Sequence, residues 1–431
     1  MSEVNRHYLD HVVKLSESSD IEASEDIMSG TGMKLLAKGA KIDARARERL
    51  LQFRLTKPLE NMMHVVDGID ASSFVPTAER LLARHPLLHG ICSTTEGPMP
   101  IQALGDVALS TNVRSLLSVY AAQAPAKLEH SIGVALLVAA LAGGMAAKPA
   151  DAESLVIAGL THDVGELYID PAFQSRGVKL TPQQWKHVAT HPIVGSHVLG
   201  AMPGAGPRIA SVVLAHHERL DGFGYPQGGS NLSMAGQILA VAEMLMGLIE
   251  SGSHHAARAA VAMKLVPGEF HRRFIDRVTL GARAGDAAPE GASRPDADEL
   301  EQSVASLAST IQHTRHLREQ MAAGLENCGA ALRGLVTHAF TRWERISVAF
   351  SSTGLDLVAE GDLRTVLSAM SGTELIEVGI VLRELRWRMS ELERQLVIRS
   401  ESLPPADALR VHDLIEEARQ PPLAAMVAAL T

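Results

Sequence analysis

Along most of the chain, apolar residues recur at every third or fourth position, the period of an amphipathic helix. The pattern dominates from about Phe74 to Val278. It breaks at STTEGPMP (93–100), PAFQSRGVKLTP (171–182) and PGAGP (203–207), polar stretches rich in Gly and Pro that read as loops. A second helical tract lies further on. There Leu375, Val378, Leu382, Leu385, Met389, Leu392 and Leu396 form the seam of a helix packing on another helix, within the chain or across a dimer. Between the tracts, GARAGDAAPEGASRPDADE (281–299) has almost no large apolar residues and reads as a linker. The first 70 or so residues differ. SEDIMSGTGMKLLAKGAKID mixes short apolar runs with turns at Gly30, Gly32 and Gly39, which predicts one or two small strands, and ARARERLLQFRL after it predicts a helix. The expected organisation is mainly α: a small α/β segment over 1–73, a helical domain over 74–280, the linker, and a helical region over 300–431.

Composition strengthens this reading. Aromatic residues make up only 3% of the chain while Ala and Leu abound, which favours helices over sheets. The 431 residues exceed one ordinary core, so two or three domains are expected. With 46% hydrophobic and 21% charged residues, the composition is that of a soluble globular protein. A formal net charge of -9 argues against non-specific nucleic-acid binding. Cys92 and Cys328 are far apart and fit no metal or redox spacing, as expected for a reducing cytoplasm. The N-terminus has no apolar signal core. The longest apolar run, Ile132 to Ala147, is short and broken by glycine, which predicts a buried helix rather than a membrane span.

The candidate chemistry lies in the first helical tract. In chain order it holds His130 (LEHSIGVA), His162 and Asp163 (LTHDVGE), His191 (ATHPIVG), His216 and His217 (AHHERLDG) and Glu243 (ILAVAEML). Imidazole and carboxylate suit first-row transition metals. Two such ions need about this many donors, with one carboxylate placed to bridge, and a two-metal site activates water for phosphoryl displacement. Apolar residues flank most of these positions. Polar side chains at the ends of buried helices need a partner, because unsatisfied burial is costly.

These motifs, with the spacer GVKLTPQQWKHVATHPIVGSHVL and the signature HHERLDGFGYP, resemble an HD-GYP domain. That family is a branch of the HD metal-dependent phosphohydrolases and hydrolyses the bacterial second messenger cyclic di-GMP. MSGTGMKLLAKGA also resembles the small leader that often precedes such domains. The resemblance implies an all-helical HD-type catalytic domain. It further implies a first metal held by His130, His162, Asp163 and Glu243, and a second held by His191, His216 and His217. Asp163 and a hydroxide would bridge them, and His162 and Asp163 would be the catalytic pair. The ions would be iron or manganese, with nickel and zinc as alternatives. Gly224, Tyr225 and Pro226, in the turn after the histidine pair, would lie near the substrate. Gly222 and Gly224 are read as permitting unusual backbone angles there, with Pro226 stiffening the exit.

The chain departs from the family at several positions. Glu166 stands where a lysine is usual, and Glu243 where the last acidic ligand is usually Asp. MGLIESGSHHAARAA replaces an arginine-rich phosphate-gripping run, leaving Arg258, with His254 and His255 read as surface residues. Ala126 replaces a further acidic ligand found in some members, and Gly133 a frequent arginine. The metal donors survive while substrate-gripping groups are thinned. Two functions are therefore expected: a metal-dependent phosphodiesterase acting on cyclic di-GMP or a related phosphodiester, or a weak or inactive signalling relative that binds a ligand or partner. The C-terminal helices would serve a homodimer or a partner protein. Neither nucleic acid nor membrane is an expected partner, and the expected location is the cytoplasm.

Overall fold

The computed structural model describes residues 3–143, 149–175, 178, 180–250, 255–284, 296–355 and 363–419. The chain opens with α1 (Arg6–Leu15), started by the Asn5 side chain, which accepts a hydrogen bond from the Tyr8 N–H. Four short strands follow: β1 (Ile21–Ala23), β2 (Ile27–Met28), β3 (Lys34–Leu36) and, after α2 (Ala44–Gln52), β4 (Met63–Val65). They form two antiparallel pairs, β1 with β4 and β2 with β3. The helix α1 was not anticipated, and the four strands exceed the one or two expected, because strands of two or three residues are too short to display a period.

The rest of the described chain is mainly helical. It comprises α3 (Val75–Arg84), α4 (Pro86–Ser93), α5 (Pro100–Gly105), α6 (Thr111–Gln123), α7 (Pro125–Ala142), α8 (Pro149–Thr161), α9 (Pro182–Val188), α10 (His191–Gly200), α11 (Gly206–Leu214) and α12 (Met234–Glu250). Then come α13 (His255–Leu265), α14 (Arg272–Ala284), α15 (Ala297–Leu325), α16 (Ala330–Ser351), α17 (Leu363–Ala369), α18 (Gly372–Ser400) and α19 (Pro405–Arg419). Helix therefore extends into both ends of the predicted linker, whose residues 285–295 lie outside the described residues. The expected mainly helical class holds, with the strands confined to the N-terminal segment.

By contacts, the chain forms two compact units. The first is Met1–Gly252 with His271–Ala287, and the second is Ser253–Phe270 with Ala288–Thr431. In the first, α7 is the central core helix, with Ser131 to Val138 buried without interruption. It is long and apolar enough to cross a membrane, but its apolar stretch is covered by protein. Gly159 of α8 explains part of the close packing: a Cβ there would stand 2.9 Å from Ala135 Cα of α7. In the second unit, the α18 seam is used within the chain. Leu375, Val378, Leu382 and Leu385 pack with Leu300, Val304, Leu307, Ile346 and Phe350 from α15 and α16.

Candidate metal centre

Five helices of the first unit deliver the seven predicted donors to one place. His130 comes from the middle of α7, and His162 and Asp163 from the end of α8, where a 3-10 turn (Val164–Tyr168) begins. His191 opens α10, His216 and His217 follow α11, and Glu243 lies in α12. Ligand atoms of Asp163, His191, His216 and His217 fall within 4.8 Å of one another, as do those of His130, His162 and Asp163.

One local device aims three of the imidazoles. The Nδ1–H of His162 donates to Gly159 O at 2.8 Å, that of His191 to Val188 O at 2.8 Å, and that of His216 to Val213 O at 2.6 Å. Each acceptor is the carbonyl three residues earlier. A carbonyl only accepts, so Nδ1 carries a proton and Nε2 is the nitrogen turned inward, where it can ligate. His130 is aimed differently: its Nδ1 lies 3.0 Å from Glu250 Oε2, which turns Nε2 toward Glu243 Oε2 at 2.9 Å. A carboxylate behind a ligand histidine is a recurrent way to orient it and raise its basicity.

Asp163 stands between the two groups. Its Oδ1 lies 3.2 Å from His191 Nε2 and 3.4 Å from His216 Nε2, whereas Oδ2 lies 3.0 Å from His162 Nε2. Glu243 Oε2 is 3.2 Å from the same His162 nitrogen. Donors about 2.1 Å from a shared cation are about 3 Å apart at neighbouring positions, so this spacing fits metal ligation. Two further observations test the fit. His162 Nε2 is fully buried beside both carboxylates yet aligned for a hydrogen bond with neither. His191 Nε2 and His216 Nε2 meet at 3.0 Å, which sets lone pair against lone pair unless a positive charge lies between them. The residues present fit a divalent cation.

The electrostatics agree. Burial alone would raise the Asp163 and Glu243 carboxyls, but the neighbouring imidazoles hold both well below the usual range. Burial lowers His216 and, with His216 and His191 beside it, holds His217 well below the ordinary imidazole value. His162 is the opposite case: burial lowers it, but the Asp163 and Glu243 carboxylates together outweigh burial and push the group up to about 10, so a positive charge at its Nε2 is favoured. The cluster thus holds ionised carboxylates and draws positive charge to itself.

Glycines set the close approaches. A Cβ on Gly165 would lie 2.1 Å from His191 O, so only glycine lets the turn after Asp163 press against the start of α10. Gly222 has φ +79°, as a left-handed turn requires. Gly224 does not share that conformation. Its missing Cβ instead leaves room for the backbone of Glu218 and His217, 2.3 and 2.4 Å from where a Cβ would be. Next to it, the Tyr225 ring stacks on His217 at a centroid distance of 4.5 Å, with Trp185 edge-on to Tyr225 at 6.1 Å.

Residues 112–276 match the HD domain family. The chain carries an HD domain. Curated relatives bear out the resemblance read from the motifs. A 3'3'-cGAMP-specific phosphodiesterase of Vibrio cholerae is 27% identical over 256 residues, 55% of each chain. A cyclic di-GMP phosphodiesterase of Pseudomonas aeruginosa is 33% identical over 99 residues, 23% of this chain and 24% of the relative. A second 3'3'-cGAMP-specific phosphodiesterase of Vibrio cholerae is 27% identical over 165 residues, 38% of this chain and 37% of the relative. The chain thus spans about half or less of the length of these relatives.

The HD domain also accommodates the departures. Glu166 is paired with Lys127 of α7 at 2.5 Å. A Cβ on Gly133 would stand 2.5 Å from Met246 Sδ, so a buried methionine of α12 fills the side-chain space at that position. Arg258 is buried in the second unit, its Nε donating to Glu384 Oε1 at 2.7 Å. Ala126 is exposed, and His254 lies outside the described residues.

Three residues escaped the sequence reading. Glu250 lies seven residues after Glu243, on the same helix face, a signal that was present. Lys127 lies three before His130, one turn away. Glu218, buried after the histidine pair, holds the following loop by accepting from the Gln227 N–H at 2.6 Å and the Gly228 N–H at 3.0 Å. Nothing local distinguished it from a surface acid.

Proposed function

We propose that the HD domain is a metal-dependent phosphohydrolase acting on a cyclic dinucleotide, cyclic di-GMP or a 3'3'-linked relative. The observation that carries this reading is Asp163, whose two oxygens divide between His191 and His216 on one side and His162 on the other. His130, His162 and Glu243 with one oxygen of Asp163 would hold one cation; His191, His216 and His217 with the other oxygen would hold a second. Iron or manganese suits this mixture of imidazole and carboxylate, with nickel and zinc as alternatives. Divalent ions there supply the charge that makes water a nucleophile at neutral pH and that neutralises phosphoryl oxygens.

The chain's own residues do the positioning. The backbone carbonyls behind His162, His191 and His216 keep those imidazoles in the ligating tautomer. Tyr225, buried and stacked on His217, braces that imidazole, and Gly224 lets the backbone approach His217 and Glu218 closely. Support for the substrate class comes from the relatives, which are named for cyclic di-GMP and 3'3'-cGAMP.

A second reading has its own observation. Arg258, the nearest arginine after the last predicted ligand, is committed to Glu384, which favours an HD domain that binds metal and ligand with little turnover. Hydrolysis of cyclic di-GMP and 3'3'-cGAMP by the purified protein, kept anaerobic and loaded with iron or manganese, decides between them. Turnover abolished by Asp163→Ala supports the phosphohydrolase. No turnover above that blank at full metal occupancy replaces it with the binding protein.

A further inference from the structure

The Lys127–Glu166 pair lies beside the metal centre without belonging to it. Lys127 is one helical turn before His130 on α7. Glu166 is one 3-10 turn after Asp163, its N–H donating to Asp163 O at 2.9 Å. The Lys127 ammonium contacts both Glu166 Oε2 and Gln174 Oε1. Gln174 is itself anchored, its Nε2–H donating to Glu166 O at 2.7 Å. An ammonium has three donors, so two fixed acceptors orient it and leave one donor for a third. The lysine is not sealed in: 32% of its side-chain surface is exposed, against 18% for Glu166. A half-buried ion pair is a poor device for stability, since removing two charges from water offsets much of their attraction. Its value here is placement of a cation.

We propose that Lys127 is the phosphate-contacting cation of this site, held by Glu166 and Gln174 so that its remaining N–H meets a phosphoryl oxygen of the substrate. The proposal rests on the phosphohydrolase reading. It makes Glu166 a positioning residue and moves the positive charge from the turn after Asp163 to the neighbouring helix, where α7 already supplies His130. The competing account is that Lys127 does no more than neutralise Glu166.

Inorganic phosphate, titrated calorimetrically into manganese-loaded protein, separates the two. Wild type, Lys127→Met, Lys127→Arg, Glu166→Gln and the Lys127→Met/Glu166→Gln double variant are compared, with metal content and thermal unfolding measured for each. The expected result is affinity about tenfold or more weaker in Lys127→Met, a charged hydrogen bond lost, with partial recovery in Lys127→Arg. The double variant stays about tenfold weaker than Glu166→Gln alone. A double variant that matches Glu166→Gln overturns the proposal, because Lys127 would then act only by cancelling the glutamate. Wild-type affinity in Lys127→Met also overturns it. A metal-loaded wild type that binds no phosphate sinks the phosphohydrolase reading and this proposal with it, an outcome distinct because the wild type itself fails.

Discussion

Each unit of this protein buries a cluster of ionisable groups, and the two clusters are completed in different ways. In the second unit, Arg388 donates to Glu269 at 2.6 and 2.9 Å and meets Glu384 at 3.2 Å. Arg342 also donates to Glu269, and Arg258 to Glu384. Every member named here faces an opposite charge, and guanidinium forks suit carboxylates geometrically. In the first unit, imidazole nitrogens face one another and a buried His162 Nε2 finds no aligned partner. A network that satisfies itself reads as architecture. One that sets imidazole nitrogens against one another and buries another without an aligned partner reads as a place for a ligand.

The comparison can be broken from either side. Glu269→Gln leaves Arg388 and Arg342 buried beside an uncharged amide. It is expected to cost about 3–5 kcal/mol in denaturant unfolding while leaving metal content unchanged. An equal loss of bound metal would show that the two clusters are not independent. Gly165→Ala acts in the first unit, where the new Cβ would meet His191 O at 2.1 Å. Displacing Asp163 from His191 by about 1 Å is expected to lower turnover about 10²-fold, alongside a drop in metal per chain measured by elemental analysis. Unchanged activity would remove the close-approach argument.

Smaller effects sharpen the picture. Glu250→Gln keeps the shape behind His130 but removes the charge, and should weaken metal affinity about 10-fold, read by competition with a chelator. Glu60 offers a pH test away from the centre. Burial raises its carboxyl above the usual value, so the folded state holds the proton more tightly than the unfolded chain. The folded state therefore loses stability as pH rises through that raised value. Glu60→Gln should raise the melting temperature by about 1–3 °C at pH 7.5 and leave it nearly unchanged at pH 4. A gain of the same size at both values would refute the burial argument.

Much of the site was legible in the chain. His162–Asp163 and His216–His217 stood out because polar pairs at the ends of apolar helices demand a partner, and the structure brings all seven predicted donors together. The glycine of HDVGE and those of DGFGYP were visible as well, although Gly224 serves close approach rather than an unusual backbone angle. Glu218 was not legible, since its loop-holding role depends on backbone N–H groups nine and ten residues away.

What the sequence by itself determined was the helical class, from its period, and the donor types, from their identity and order. Local periodicity says which face of a helix is apolar, and residue chemistry says what a side chain can ligate. Only the tertiary structure decided how those donors are used. Which acid backs His130 and which partner claims Glu166 or Arg258 are contacts between residues 39 to 126 positions apart. No local rule specifies such pairings, because they depend on how whole helices pack rather than on spacing within one of them.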